Sequence, residues 1–586
     1  MSPNLDAAAR EGGGSDYPWL RSYPGNIAWN QKFSSERIDQ MFDRACVRFA
    51  ARPATSFLGR ALTYAELAVQ VDRTAAGLHR LGVVKGWNVG LMLPNSPTFI
   101  VYYFAILKLG ATVVTYNPLY TVAELAAQVR DSDTRLMVTH DLAILFDKVE
   151  ELLASDKLER TIVASFTSLL PGPKAVLFRL LRGRELADLP GSAAADRIVR
   201  DSDLVANDGI YSRPLIDAEQ DVAVIIYTGG TTGTPKGAML THANISANTQ
   251  QAIAWAVNLV SGAERVLAIL PFFHVFGLTN VLNLGIVEGA EIIILPRFAL
   301  DECLKLIDKR RPTVLPGVPT LFGAIMNHPK IKSFDLSSIK FCMSGGAALP
   351  AEVKAGFEQA TGCRLLEGYG LSECSPDVTS NPLEGPAKAG SIGLPLPGTI
   401  VALRDLTDAG VDVPPGEKGE ICVKGPQVRK GYWKRPEETA AQTTPDGFLR
   451  TGDIARMDAD GYLFIEDRIK DLIISSGYNV YPRRIEDALY EHQAVEEAIV
   501  IGVRDSYRGE APKAFVKLKA GEIVSAADLM HHLERRISKI EMPVAIEIRD
   551  ALPKTMIGKL SKKELKLEEA RRQARPATAA PDQNRA

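Results

Sequence analysis

The sequence predicts an α/β protein with substantial parallel sheet in a large N-terminal domain, followed by a small α+β domain. Three observations predict it. Short β-branched runs alternate with helical stretches from about Ile27 to Glu466, the pattern of a substantially parallel sheet. Gly-rich polar segments follow the strand-like runs, at the carboxyl ends of strands where open α/β sheets bind ligands. A second unit of strands and helices begins near Arg468. At 586 residues the chain is too long for one compact core. The expected division is a flexible N-terminal segment 1–26, a large domain 27–468, a small domain 469–569 and a disordered tail 570–586.

In chain order, Thr63 to Leu81 reads as a helix with Thr63 as its N-cap, and Glu66 three residues on completes a capping box. Val222–Tyr227, Val266–Leu270, Ile292–Leu295, Ile339–Met343 and Arg364–Leu366 read as buried strands. Ala351–Gln359 reads as a helix entered through Pro350, a first-turn residue. In the second unit the strands are Ala498–Val503 and Ala514–Leu518, and the helices Arg483–His492 and Ala526–Ile537. Ala175 to Leu189 mixes Leu and Phe with Arg179, Arg182 and Arg184. It reads as a surface helix, with an amphipathic patch that meets a membrane as the sharper alternative.

Composition narrows the function classes. A formal net charge of -2 offers no basic field for nucleic acid. No run of 18 apolar residues is present, so no spanning helix is expected, and the polar N-terminus lacks the apolar core of a signal peptide. The six cysteines are scattered without metal-ligand spacing, which points to reduced, buried thiols in a cytoplasmic protein.

The segment Tyr227 to Gly237, YTGGTTGTPKG, follows a predicted strand. Thr228, Gly229, Gly230, Thr231, Thr232, Gly233 and Thr234 offer backbone N–H groups and hydroxyls without bulk, a cradle for phosphate oxygens, and Lys236 adds positive charge. It is not a Walker A loop, because Pro235 stands where that pattern needs Gly. Together with EGYGLSE (Glu367–Glu373), SGGAAL (Ser344–Leu349), Thr451-Gly452-Asp453, EDRIKDLI around Arg468 and LPKTMIGK (Leu552–Lys559), in that family's order over roughly residues 55 to 565, this resembles the adenylate-forming, AMP-binding enzymes: acyl-CoA synthetases, peptide-synthetase adenylation domains and luciferases.

The resemblance implies a large multi-sheet N-terminal domain of the acyl-CoA synthetase type with a small mobile α+β C-terminal domain. It also implies roles. Tyr369 stacks on adenine, Ser372 bonds the α-phosphate where most members carry Thr, and Glu373 holds Mg2+. Gly346 and Ala347 lie against adenine and the acyl group, while Asp453 and Arg468 reach the ribose or phosphate. Lys470 is the hinge, and Gly477 and Tyr478 swing toward the CoA channel. Lys559 bridges the carboxylate substrate and the α-phosphate. Without its motif it would read as one more lysine beside Lys562, Lys563 and Lys566.

His274, in PFFHVFG (Pro271–Gly277), matches a position beside the acyl group, with a packed core histidine as the even alternative. That segment holds no acid, so a substrate ammonium would lack its partner, which disfavours amino acids. NPLYT (Asn117–Thr121) and GAMLTHAN (Gly237–Asn244) resemble bacterial long-chain fatty acyl-CoA synthetases. The expected reaction is ATP-dependent fatty acid–CoA ligation, an acid–thiol ligase reaction with ATP and CoA as co-substrates. Ligases for medium-chain or dicarboxylic acids and an acyl-AMP ligase loading a carrier protein stand as alternatives, and a luciferase-like oxygenase and a non-catalytic binder as rivals. Peripheral contact with the inner face of a membrane and a homodimer complete the expectation.

Overall fold

The computed structural model describes residues 17–155, 157–228, 235–476, 478–505, 507–555 and 558–574. The Gly229–Thr234 part of the phosphate cradle and Gly477 therefore lie outside the described residues.

Among the described residues the strands up to Arg468 form sheets of nine, eight and four strands, and those after it a five-stranded sheet. The nine-stranded sheet is parallel through its centre. Arg265–Ala268 pairs with Glu291–Ile294 and Val314–Gly317, and Phe341–Ser344 with Arg364–Gly370. In the eight-stranded sheet Val222–Thr228 lies parallel to Thr112–Thr115 and antiparallel to Lys236–Thr241. The expected strands are all present, within a few residues at their ends.

Helix Pro97–Lys108, PTFIVYYFAILK, shows why the large unit is layered. It is apolar all round and every residue is buried within the main core cluster, the fate of a helix with no polar face. Ser96 caps it and Pro97 fills the first turn. Its last residue, Lys108, is wholly buried, and its ammonium lies 2.7 Å from carboxylates of both Asp43 and Asp72. A charge is kept inside here by pairing it twice.

The capping box at Thr63 opens helix Tyr64–Arg80 as expected, with Thr63 Oγ1 and the Glu66 carboxylate bonding reciprocally to the backbone. The same device opens Val122–Ser132 from Thr121 and His242–Trp255 from Thr241. Pro350 is the N-cap of Ala351–Thr361, one place before the first turn.

Two terminal expectations are corrected. Part of the segment expected to be flexible is packed: Trp19, on the 3-10 turn Pro18–Ser22, is 2% exposed in a cluster with Ile27, Trp255 and Tyr462. Aromatic burial outweighs the Gly-rich composition before it. At the other end, helix Lys562–Ala574 continues four residues beyond 570. Its Lys566 meets Asp471 at 2.9 Å, and Arg572 pairs with Glu547, Glu568 and Glu569.

Candidate active site

The parallel strands end around one cavity of about 990 Å³. Its wall takes Thr228 from the end of Val222–Thr228, and Ser344, Gly345 and Gly346 from the loop after Phe341–Ser344. Tyr369, Ser372 and Glu373 reach it from Arg364–Gly370 and the 3-10 turn that follows. Asn117, Leu119 and Tyr120 of NPLYT reach the same cavity. Ala347 does not: it is exposed, so the glycines alone make this part of the wall.

Lys559 comes from the C-terminal part of the chain. The loop that carries it is closed by Thr555 N–H donating to the Lys559 carbonyl at 2.6 Å. Thr320 Oγ1 of helix Pro319–Met326 donates to the Gly558 carbonyl at 2.8 Å and ties the loop to the large unit. A Cβ built on Gly346 would stand 2.9 Å from Lys559 Nζ and 2.6 Å from its Cε. Only glycine, here at φ +81°, lets the ammonium lie so close to the backbone. Burial and then Arg468 hold the Lys559 ammonium down to about 8, with Asp453 pulling it back up.

Asp453, on strand Leu449–Met457, is buried. It accepts from Tyr369 Oη at 2.6 Å and pairs with Arg468 Nε at 2.9 Å. This sets the ring of Tyr369 and the carboxylate of Asp453 side by side on the wall. Lys470, on the turn Ile469–Asp471, also lines the cavity, and burial with Arg468 lowers its pKa. Tyr478 is exposed and does not reach the cavity.

His274 lines the cavity and is pushed down to about 3, by burial first and Lys559 second, so it is neutral. Its Nδ1 accepts from the Phe276 N–H at 3.3 Å. A neutral ring held by the backbone fits a positioning role.

Sequence reasoning missed Tyr432, Asp377 and the partner of Lys236. Tyr432 Oη lies 2.6 Å from Glu373 Oε1 and 2.8 Å from Gln442 Oε1, with the Arg429 guanidinium 4.0 Å over its ring. Lys236 pairs with the Glu438 carboxylate. Asp377 is an acid on the cavity wall, but it arrives on strand Asp377–Ser380 and not in Pro271–Gly277. The absence of an acid in that one segment therefore does not make the acyl wall free of acids. No local signal marks the Tyr432–Glu373 or Lys236–Glu438 contact, which join residues 59 and about two hundred positions apart.

Among the described residues no group of three His, Cys, Asp or Glu side chains could hold a metal. Glu373 alone still fits Mg2+, which takes one or two carboxylates and completes its shell with waters and phosphates. Tyr432 engages Glu373 through Oε1, which leaves Oε2 as an oxygen donor for a cation.

The AMP-binding enzyme family matches residues 42–433, and the C-terminal domain of AMP-binding enzymes matches residues 484–559. The chain belongs to this adenylate-forming family. A long-chain-fatty-acid–CoA ligase of Bacillus subtilis (strain 168) is 44% identical over 555 residues, which is 95% of this chain and 98% of that protein. A feruloyl-CoA synthase of Amycolatopsis sp is 36% identical over 509 residues, 87% and 94% of the two chains. The crystal structure of ATP-bound MatB from Rhodopseudomonas palustris has a TM-score of 0.79 at 29% identity, covering 91% of this chain and 99% of that one.

Proposed function

We propose that the protein is an ATP-dependent fatty acid–CoA ligase. The observation that carries this reading is the seat of Lys559 over Gly346, in one cavity with Glu373, Asp453 and Arg468 and against an apolar wall that includes Phe273, Val275 and Phe276. The relatives described above support it.

In the first step a carboxylate oxygen attacks the α-phosphorus of ATP. The bond to the β-phosphate oxygen breaks, and pyrophosphate leaves. Two anions must meet, and a cation about 4 Å from each contributes roughly 4 kcal/mol per pair at an effective dielectric of 20. Lys559 supplies that cation. Asp453, held by Tyr369 and Arg468, receives the ribose hydroxyls, and Tyr369 offers its ring to adenine. Thr228 and Lys236 lie on the phosphate side, and Ser372 bonds the α-phosphate. Mg2+ on Glu373 would neutralise phosphate charge. The role of the protein is positioning and electrostatics.

In the second step the small domain, 469–569, turns about Lys470. Lys559 leaves and the 477–478 segment enters. The CoA sulfur attacks the acyl carbonyl, the thiol proton is lost to solvent, and AMP departs. No protein thiol competes as a nucleophile: the cysteines are buried, and burial pushes Cys46, Cys303 and Cys422 up to about 12.

The test is AMP formation with ATP, Mg2+ and CoA across straight-chain monocarboxylic, dicarboxylic and aromatic acids. CoA-dependent turnover best with medium or long monocarboxylic acids is expected. Preference for dicarboxylic or aromatic acids would overturn the substrate class, and pyrophosphate release without CoA consumption would point to a carrier-protein acceptor.

Helix Gly172–Arg182 favours a peripheral membrane role at the cytoplasmic face. It buries none of its residues, and Val176, Leu177, Leu180 and Leu181, spaced to share one face, are 55 to 76% exposed. Lys174 and Arg179 lie at the two edges of that face, and Arg182 and Arg184 follow at the end of the helix. Apolar side chains that enter the headgroup layer between cations are complementary to an anionic leaflet. Among the described residues no helix is long and apolar enough to cross a membrane.

A further inference from the structure

Behind the wall formed by Met343, Gly368 and Asp377 of the main cavity lies a small, separate apolar pocket of about 20 Å³, lined also by Trp255, Phe341, Leu366 and Leu396. Asp377 stands between the two and lines both spaces. Its position is fixed from several directions. Its N–H donates to Asn248 Oδ1 at 3.0 Å, and its carbonyl accepts from Asn248 Nδ2 at 2.9 Å and Gln427 Nε2 at 3.3 Å. Its side-chain Oδ1 accepts from Asn280 Nδ2 at 3.1 Å. Asn280 is buried on a π-helical turn, Leu278–Asn283, a rare conformation found disproportionately at functional sites.

A wall built only for an alkyl chain gains nothing from this arrangement. A carboxyl pressed against hydrocarbon loses hydration without return unless a polar partner arrives. Burial already pushes Asp377 up to about 7, and Asn280 is the group that offsets this. Among the described residues no Lys, Arg or His acts on its charge. The second carboxyl oxygen is the group left to receive something from the cavity.

We propose that Asp377, positioned by Asn280, reads a hydrogen-bond donor on the acyl chain, so that the preferred acids carry a hydroxyl group where the chain runs along this part of the main cavity wall. This rests on the ligase reading above and names the substrate class within it. A hydroxyl suits the position in either protonation state of the carboxyl, because it both donates and accepts. An ammonium would need the charged form throughout. Sites built to bond a substrate hydroxyl reject the analogue that lacks it far more strongly than apolar pockets discriminate by size.

The experiment compares decanoate, its hydroxylated positional isomers and a chain amino acid of equal length by CoA-dependent AMP formation. The enzymes are wild type, Asp377→Leu, Asp377→Asn and Asn280→Leu. At least one hydroxy isomer should exceed decanoate in kcat/KM by tenfold or more with the wild type. Asp377→Leu should reverse that ratio by raising decanoate and lowering the hydroxy acid, and Asn280→Leu should weaken the preference. Retained turnover of decanoate by the variants shows that they are folded. Equal kcat/KM for both series in the wild type, or an equal loss on both in Asp377→Leu, would overturn the proposal while leaving the ligase reading intact. A preference for the amino acid would replace it with an ammonium site. No turnover of any acid by the wild type would overturn the ligase reading and this one with it.

Discussion

Lys559 lies over Gly346, its Nζ 2.9 Å from where a β-carbon on that glycine would stand. One residue comes from the last motif of the chain and the other from the loop at the end of a central strand, so the contact joins the two ends of the proposed adenylation machinery.

Gly346→Ala should therefore act on one half-reaction. The added methyl would collide with the Lys559 stem, and a non-glycine residue in the left-handed region costs roughly 1–2 kcal/mol. Displacement of a positioned group by about 1 Å can cost on the order of 100-fold. Pyrophosphate release should fall by that order, while thioester formation from supplied acyl-AMP should change far less. An equal fall in both would show that Gly346 does not serve Lys559.

Lys559→Ala should abolish acyl-AMP formation yet spare thioester formation from supplied acyl-AMP. The pH dependence has a definite sign. Step one needs the protonated amine, so kcat/KM for pyrophosphate release should hold below pH about 8 and decline as pH rises through about 8. The unfolded lysine keeps its proton to about 10.4. The burial penalty this group places on stability is thus full below about 8 and fades between about 8 and 10.4. Lys559→Arg should remove the alkaline decline, since guanidinium stays charged. His274, held near 3, should add no limb between about pH 5 and 8; a limb there that disappears in His274→Gln would contradict its assignment as a neutral positioning group.

Tyr432→Phe should raise the Mg2+ concentration needed for half-maximal rate. The hydroxyl that holds Glu373 Oε1 at 2.6 Å would be gone. A hydrogen bond to a charged group contributes about 1.5–3 kcal/mol, so a shift of up to roughly tenfold is expected, together with a lowered thermal midpoint because the same hydroxyl also bonds Gln442 in the folded protein. A Mg2+ titration that superimposes on wild type would show that Glu373 needs no such support.

On the exposed helix, Leu180→Asp with Leu181→Asp should reduce co-sedimentation with vesicles containing about one third phosphatidylserine. Exposed surface changes usually stay within about 0.5 kcal/mol in stability, so the fold should be unaffected. Wild-type protein that ignores such vesicles would remove the membrane role.

Much of the fold was legible because its signals are local. Thr63 and Glu66 announce a helix start within four residues, and strands such as Val222–Thr228 and Glu291–Ile294 are β-branched runs. Lys559, Glu373 and Asp453, inside recognisable segments, were legible as candidates, and all three line the cavity. Contacts between distant segments were not. Tyr432 is 59 residues from the glutamate it holds, and Asn280 is 97 from Asp377. Lys108 reads as an ordinary helix-end cation until Asp43 and Asp72 are brought around it. Trp19 lies in the segment expected to be flexible, and its burial depends in part on Trp255 and Tyr462, some hundreds of residues away.

That tryptophan bears on how the enzyme would move. A β-carbon on Gly461 would meet the Trp19 backbone at 2.2 Å, and Tyr462, in the same cluster, leads directly into strand Leu463–Arg468, the last element before Lys470. The turn Pro18–Ser22 is thus a wedge beneath the mounting of the pivot. Removing residues 17–22 would leave every reactive side chain in place and loosen the bearing on which the proposed rotation turns.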